Sequence, residues 1–139
     1  VSRPFRALPT NVASALELVF RRPEQVRSVG ALAAAAKTTR RSLDRCLARA
    51  GLSPARTLLS CARANAAYHL LAGGSVRKAR VASLVGCASA RSLARELRAV
   101  TGYPASAIPA RLSRDDFAAV LRQRLVRSAS APVTISGPY

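Results

Sequence analysis

Aromatic side chains are nearly missing from this 139-residue chain: Phe, Tyr and Trp together make 4%, with three Phe, three Tyr and no Trp. That scarcity argues against an RNA or single-strand binder, which stacks bases on aromatic rings. It also deprives an amphipathic membrane-surface helix of its usual anchors. Carboxylates are scarce too, 6 Asp+Glu against 23 Lys+Arg, for a net charge of +17. Such an excess is more than solubility requires and implies an anionic partner, nucleic acid first and an anionic membrane surface second. His69 is the only histidine, and it reads as a surface residue. The three cysteines, Cys46, Cys61 and Cys87, are odd in number and widely spaced. They suggest neither a disulfide framework nor a zinc site, and no thiol has a base partner in the pattern. No glycine-rich phosphate loop is present, and Gly73-Gly74 reads as a helix stop. The pattern therefore argues against an enzyme and calls for no cofactor or metal. The longest nearly apolar run, Val29 to Ala36, is far too short to span a bilayer. Arg21, Arg22 and Glu24 follow a short apolar stretch too closely for a signal peptide. A reduced, cytoplasmic and nucleoid-associated setting is expected. The first residue is Val1, which fits a fragment, a processed start or a misassigned one.

What the chain does have is small aliphatic residues and arginine. Half of it is apolar, dominated by Ala with Leu and Val, a composition that favours close-packed helices over a sheet. An all-α fold is expected. Only Lys37 and Lys78 are lysines. Arginine carries the remaining positive charge, as a planar fork able to grip phosphate or guanine with two hydrogen bonds.

One seven-residue phrase occurs twice. Arg41-Ser42-Leu43-Asp44-Arg45-Cys46-Leu47 returns fifty positions later as Arg91-Ser92-Leu93-Ala94-Arg95-Glu96-Leu97. On a helix the two leucines, four apart, share one face and the two arginines share another. Thr39 and Ser89 are placed to cap the two helices. Each cap follows a short break, Lys37-Thr38 or Gly86-Cys87-Ala88, and each break follows an apolar helical stretch. Helix, tight turn and second helix is the plan of the DNA-binding helix-turn-helix.

Periodicity and caps divide the chain further. Residues 1–8 are expected to be a flexible arm. Pro9-Thr10-Asn11 opens a helix with Val12, Leu16, Val19 and Phe20 at helical spacing, closed by Arg22-Pro23. Ser28 caps a helix over about 29–36, with Leu32 and Ala33 inward. The first arginine helix spans about 40–50 and stops at Gly51. Ser53-Pro54 starts a long connecting helix to about Ala72, Ser as cap and Pro at the first helical position. A stripe of Leu58, Ala62, Ala66 and Leu70 runs along it. Ser75 is expected to cap a helix over 76–85, with Val81 and Ala82 inward. The second arginine helix spans about 90–100 and is closed by Gly102. Pro104 and Pro109 bracket an irregular or short helical segment. Ser113-Arg114-Asp115-Asp116 reads as a capping box opening a helix to about Arg127, with Phe117, Val120, Leu121 and Leu125 inward. Residues 128–139 are expected to be disordered.

Across about Pro9 to Arg111 the order of parts resembles the DNA-binding domain of AraC-type bacterial transcription regulators. In the first half Leu32-Ala33, Thr39, Leu43, Arg45, Leu47 and Gly51-Leu52-Ser53-Pro54 follow the family pattern. In the connecting helix Arg63, Ala67, Leu70 and Leu71 match R-x-x-x-A-x-x-L-L. In the second half Ala82, Gly86, Ser89, Leu93, Arg95, Leu97 and Gly102 match the A-x-x-x-G-F-x-S signature and its continuation. The offset from Ala33 to Thr39 is one residue shorter than that from Ala82 to Ser89, as in the family's two repeats. The chain departs from the family at Cys87, Leu47, Leu93 and Leu97, where aromatics are frequent. Lys37 replaces the first turn glycine, Thr57 stands for a tyrosine, and Gly102-Tyr103-Pro104 shortens the last motif.

The resemblance implies two helix-turn-helix units, residues 9–52 and 73–112, joined by a connecting helix over 53–72, with the helix of residues 113–127 as an addition. It implies sequence-specific binding of double-stranded DNA in transcription regulation. Two recognition helices would enter successive major grooves, one helical turn of about 34 Å apart, or bend the DNA to do so. By family position the base-facing residues are Arg41, Asp44 and Arg45 in the first unit, and Arg91, Ala94 and Arg95 with Ser92 in the second. Arginine pairs with guanine O6/N7, and Asp44 could accept from cytosine N4. An intrahelical pair with Arg40 or Arg41 is an equal reading of Asp44, and a phosphate contact or a solvated face is the alternative for the arginines. Arg40, Arg49, Arg56, Arg77, Lys78 and Arg98 are candidates for phosphate contact, which adds affinity without sequence information. The rival reading is a protein-interaction adaptor on the same fold, partnered by RNA polymerase or a separate effector domain, with mostly non-specific DNA affinity. The terminal helix, residues 114–127, could serve dimerisation, contact with a separate effector domain or polymerase contact, or be a packed extra helix.

Overall fold

In the computed structural model, which describes residues 8–74 and 76–126, four of the helices start where a Ser or Thr side chain accepts a free N–H. Helix α1 (Thr10–Arg21) follows Pro9 and buries Val12, Ala15, Leu16 and Val19. A 3-10 turn over Pro23–Gln25 ends it. Leu8 is itself buried, so the part of the expected arm that is described packs into the core; residues 1–7 lie outside the described residues. The Ser28 hydroxyl accepts from the Ala31 N–H at 3.0 Å and opens α2 (Val29–Ala35). Thr39 accepts from the Ser42 N–H at 3.1 Å and opens α3 (Arg40–Arg49).

The long helix α4 (Ala55–Gly73) does not begin as the sequence suggests. Pro54 is its N-cap and no side chain of that residue or its neighbour closes the first turn in the usual way. The Ser53 hydroxyl instead donates to the Arg124 carbonyl, 71 residues away. Helix α5 (Lys78–Leu84) starts two residues later than expected, with Arg77 as N-cap; the expected cap Ser75 lies outside the described residues. Ser89 and Ser92 form a reciprocal capping box at the start of α6 (Ala90–Thr101), each N–H donating to the other's hydroxyl at 3.1 Å. After a 3-10 turn over Ala105–Ala107 come α7 (Ile108–Arg111) and α8 (Arg114–Leu125). The expected Ser113 and Asp116 capping box is present. Helix α8 ends at Leu125, and Val126 forms the one isolated antiparallel bridge among the described residues, with Leu52. Of the expected disordered tail nothing is described.

The breaks before α3 and α6 have the same backbone. In the first, the Lys37 N–H donates to Ala34 O and the Thr38 N–H to Ala33 O, both at 3.0 Å. In the second, Gly86 N–H donates to Ser83 O at 3.2 Å and Cys87 N–H to Ala82 O at 2.9 Å. This paired closure needs a left-handed residue at its centre. Gly86 supplies it at φ +88, while Lys37 is forced to φ +57 and is the only non-glycine with positive φ among the described residues. A Cβ on Gly86 would also meet Pro23 O at 3.1 Å and Glu24 Cα at 3.2 Å. Lys37→Gly is therefore expected to stabilise the fold by about 0.5–1 kcal/mol. Gly86→Ala is expected to destabilise it by about 2 kcal/mol or more, since backbone crowding adds to the left-handed cost. Urea midpoints of the three proteins check both signs.

Helix α4 is the axle. It packs against α1, α2, α3, α5, α6, α7 and α8. That explains why its predicted stripe is incomplete: Leu58 and Ala62 are buried, but so are Leu59, Cys61, Ala64, Ala67 and Tyr68 on other faces. A helix surrounded by neighbours cannot keep a narrow apolar seam. The Tyr68 ring stacks on Phe117 with centroids 4.2 Å apart, and its hydroxyl donates to Leu112 O at 2.8 Å. The C-terminal end of α8 ties the start of α4 to the end of α6. Ser53 N–H donates to Leu125 O at 2.9 Å, and Arg124 Nε donates to Val100 O, at the end of α6, at 3.1 Å. The buried apolar residues of both halves form one continuous cluster through α4. No helix among the described residues is long and apolar enough to cross a membrane.

Candidate nucleic-acid interface

Each copy of the repeated phrase is a helix seated by its leucines. Leu43 and Leu47 of α3 and Leu97 of α6 are wholly buried, and Leu93 is nearly so. At about 100° per residue, the arginines four apart then fall on the far side of each helix. Arg41 and Arg45 are exposed on α3, and Arg91 and Arg95 are exposed on α6. None of the four has a carboxylate within ion-pair distance; among the described residues the ion pairs are Arg22–Glu24 and Arg63–Glu96. Arg40, Arg41 and Arg91 sit in the first turns of their helices, where the positive end of the helix dipole repels them. That placement works against fold stability and concentrates positive potential where an anion would be attracted.

Asp44 and Ser92, expected beside these arginines as base readers, have other work. Asp44 Oδ1 accepts from the Ala55 N–H at 2.8 Å, satisfying the first N–H of α4. It pairs with neither Arg40 nor Arg41. Ser92 is held in the capping box with Ser89 and is half-buried. The reason is the same in both cases: a free backbone N–H at a helix start is nearer and costlier to leave bare than a solvent-facing contact. Ala94 is half-buried beside Leu71 and Pro104 in a small groove. Arg40, Arg49, Arg56, Arg77 and Arg98 are exposed, as phosphate contact requires; Lys78 begins α5, and its side chain lies outside what is described.

The sequence pattern gave no role to Glu96, and it marked Arg63 only as a family position. Together they form an inward ion pair, Arg63 Nη1 to Glu96 Oε2 at 2.8 Å, with side chains 13% and 21% exposed. The other end of the same guanidinium donates to the Arg27 carbonyl. Cys87 Sγ lies 3.9 Å from the same Glu96 oxygen. Burial first, then the Glu96 charge, pushes the Cys87 thiol up to about 11, and burial pushes Cys61 up to about 12. Both are therefore held as neutral thiols at neutral pH. His69 is exposed and meets the Tyr68 ring edge-on at 5.6 Å. Among the described residues no group of three His, Cys, Asp or Glu side chains is placed to hold a metal ion.

Searches of family models, curated proteins and solved structures returned no match to this chain.

Proposed function

We propose that this chain binds double-stranded DNA sequence-specifically as a transcription regulator, through an AraC-type pair of helix-turn-helix units carried on α4. Helices α3 and α6 are the recognition helices and enter successive major grooves. The observation that carries this reading is the matched pair of arginine edges. Two capped helices, each entered through the same left-handed turn and each seated on α4 by two leucines, present exposed arginines without carboxylate partners. With Asp44 and Ser92 engaged within the protein, the readers are Arg41, Arg45, Arg91 and Arg95. Their chemistry favours guanine, so the preferred site is guanine-rich. The adaptor reading on the same fold draws no support from the apolar face of α8, whose residues Phe117, Leu121 and Leu125 are already buried.

The test is selection from a random duplex pool, followed by affinity measurement on the selected duplex and its single-base variants. Arg45→Ala or Arg95→Ala should each lose about 1–3 kcal/mol, and the loss should vanish when one or two particular base pairs are changed. Equal weakening on every duplex would make these arginines phosphate contacts. A pool that never converges would sink the sequence-specific reading in favour of the adaptor.

A further inference from the structure

The two copies of the repeated phrase differ at two places only, 44/94 and 46/96. Each copy has one carboxylate there, Asp44 in the first and Glu96 in the second. At about 100° per residue these two positions flank the leucine stripe on opposite sides. The chain has just 6 acidic residues, yet each arginine helix carries one of them, and both turn inward to α4. Asp44 accepts from Ala55 N–H at the start of α4, and Glu96 meets Arg63 in its middle. We propose that Asp44 and Glu96 are positioning residues that fix the roll of α3 and α6 on α4, so that both arginine edges meet DNA in register. The proposal rests on the DNA-binding reading above.

The physical need is specific. Two leucines four apart set how deeply a helix sits, but a smooth Ala-rich neighbour resists rotation about the helix axis only weakly. A hydrogen bond from one flank of the stripe removes that freedom, because a small roll breaks it. Arg63 extends the second tether across the fold, since its other nitrogen donates to Arg27 O ahead of α2. Turning both carboxylates inward also keeps negative charge off the arginine edges, where it would repel phosphate.

The experiment has two arms. In the free chain, spin labels at Ala48→Cys and Ala99→Cys in a Cys46→Ala background report the distance distribution between α3 and α6. In the second arm, label-free protein is titrated with the pool-selected duplex and with random-sequence duplex. Asp44→Ala and Glu96→Ala should broaden the distribution and reduce the preference for the selected duplex by about tenfold, leaving random-duplex affinity nearly unchanged. Asp44→Asn and Glu96→Gln, which keep an acceptor oxygen, should restore both readouts. An unchanged distribution in folded alanine variants would overturn the proposal, as would parallel weakening on both duplexes. An Asp44→Asn protein that exchanges one base preference for another would make Asp44 a base reader and also overturn it. Should an alanine variant fail to fold, Asp44→Ser and Arg63→Lys loosen the same tethers with less lost volume and are judged by the same criteria. If the native chain binds no duplex, the functional reading fails, and the label distances alone support or overturn the tethers.

Discussion

Raising salt from about 50 to about 200 mM is expected to weaken duplex binding roughly a thousandfold. The candidate phosphate contacts are Arg40, Arg49, Arg56, Arg77, Lys78 and Arg98, and each would displace close to one counterion from the duplex. About six contacts give a slope of log affinity against log salt near −5. So steep a dependence requires charge that the protein has not neutralised itself. The fold meets that condition: among the described residues only Arg22 and Arg63 pair with carboxylates, and Arg63 is turned inward. Anisotropy of a labelled duplex over a salt series measures the slope. Arg49→Ala or Arg98→Ala should flatten it by about one and weaken selected and random duplexes alike. A slope shallower than about −2 in the native protein would mean that these arginines do not face a polyanion of DNA's charge density. An anionic vesicle titrated alongside distinguishes a membrane surface; among the described residues the exposed large apolar side chains are Leu84 and Val126.

The parts legible in the sequence were those set within one or two helical turns. Ser28, Thr39, Ser89 and Ser113 could be read as caps because the accepting hydroxyl and the donating N–H are three residues apart. The leucine pairs could be read because a period of about 3.6 residues fixes their face without knowledge of what covers it. What was not legible depends on partners far along the chain. Ser53 has the form of a cap, yet its hydroxyl is taken by Arg124 O once α8 returns to the start of α4. Asp44 looks like a base reader until the chain folds back after Gly51 and brings Ala55 N–H to it. Glu96 has no local sign of its pairing with Arg63, 33 residues earlier. The left-handed state of Lys37 lies between these cases. Its neighbours mark a turn, but only the placement of Asn11, whose side chain donates to Ala36 O, and the closure onto Ala33 show that lysine must take glycine's conformation.

Leu43→Asp and Leu93→Asp are expected to abolish folding altogether rather than to melt one half. The sequence alone suggests that each change should unfold its own unit. The packing leads to a different expectation. Leu43 is 0% and Leu93 2% exposed, and both belong to one apolar cluster that runs through α4 from Leu8 to Leu125. Replacing either leucine removes about 2–5 kcal/mol of burial and packing. It also places a carboxylate where no partner exists, which costs several kcal/mol more or forces it to bind a proton. The sum is comparable to the whole stability of a domain this size, about 5–15 kcal/mol. Neither half has a core of its own on which to survive, because α4 supplies buried residues to both and the C-terminal end of α8 is bonded, through Arg124, to Ser53 of one half and Val100 of the other. Far-ultraviolet circular dichroism should therefore show loss of nearly all helix in each variant, with the Tyr68 environment lost in step. A variant that keeps about half its helix, with Tyr68 still stacked on Phe117 in Leu43→Asp, would show two independently folding units and a flexible spacing between the arginine edges. The conservative pair Leu43→Ile and Leu93→Ile, which keep volume and polarity, should cost less than about 1.5 kcal/mol and leave the single transition intact. Cooperative unfolding matters for function because it makes the distance between α3 and α6 a property of the folded state itself. Under the proposed DNA-binding function, a chain built this way would select DNA whose two segments already lie at that distance or can be bent to it.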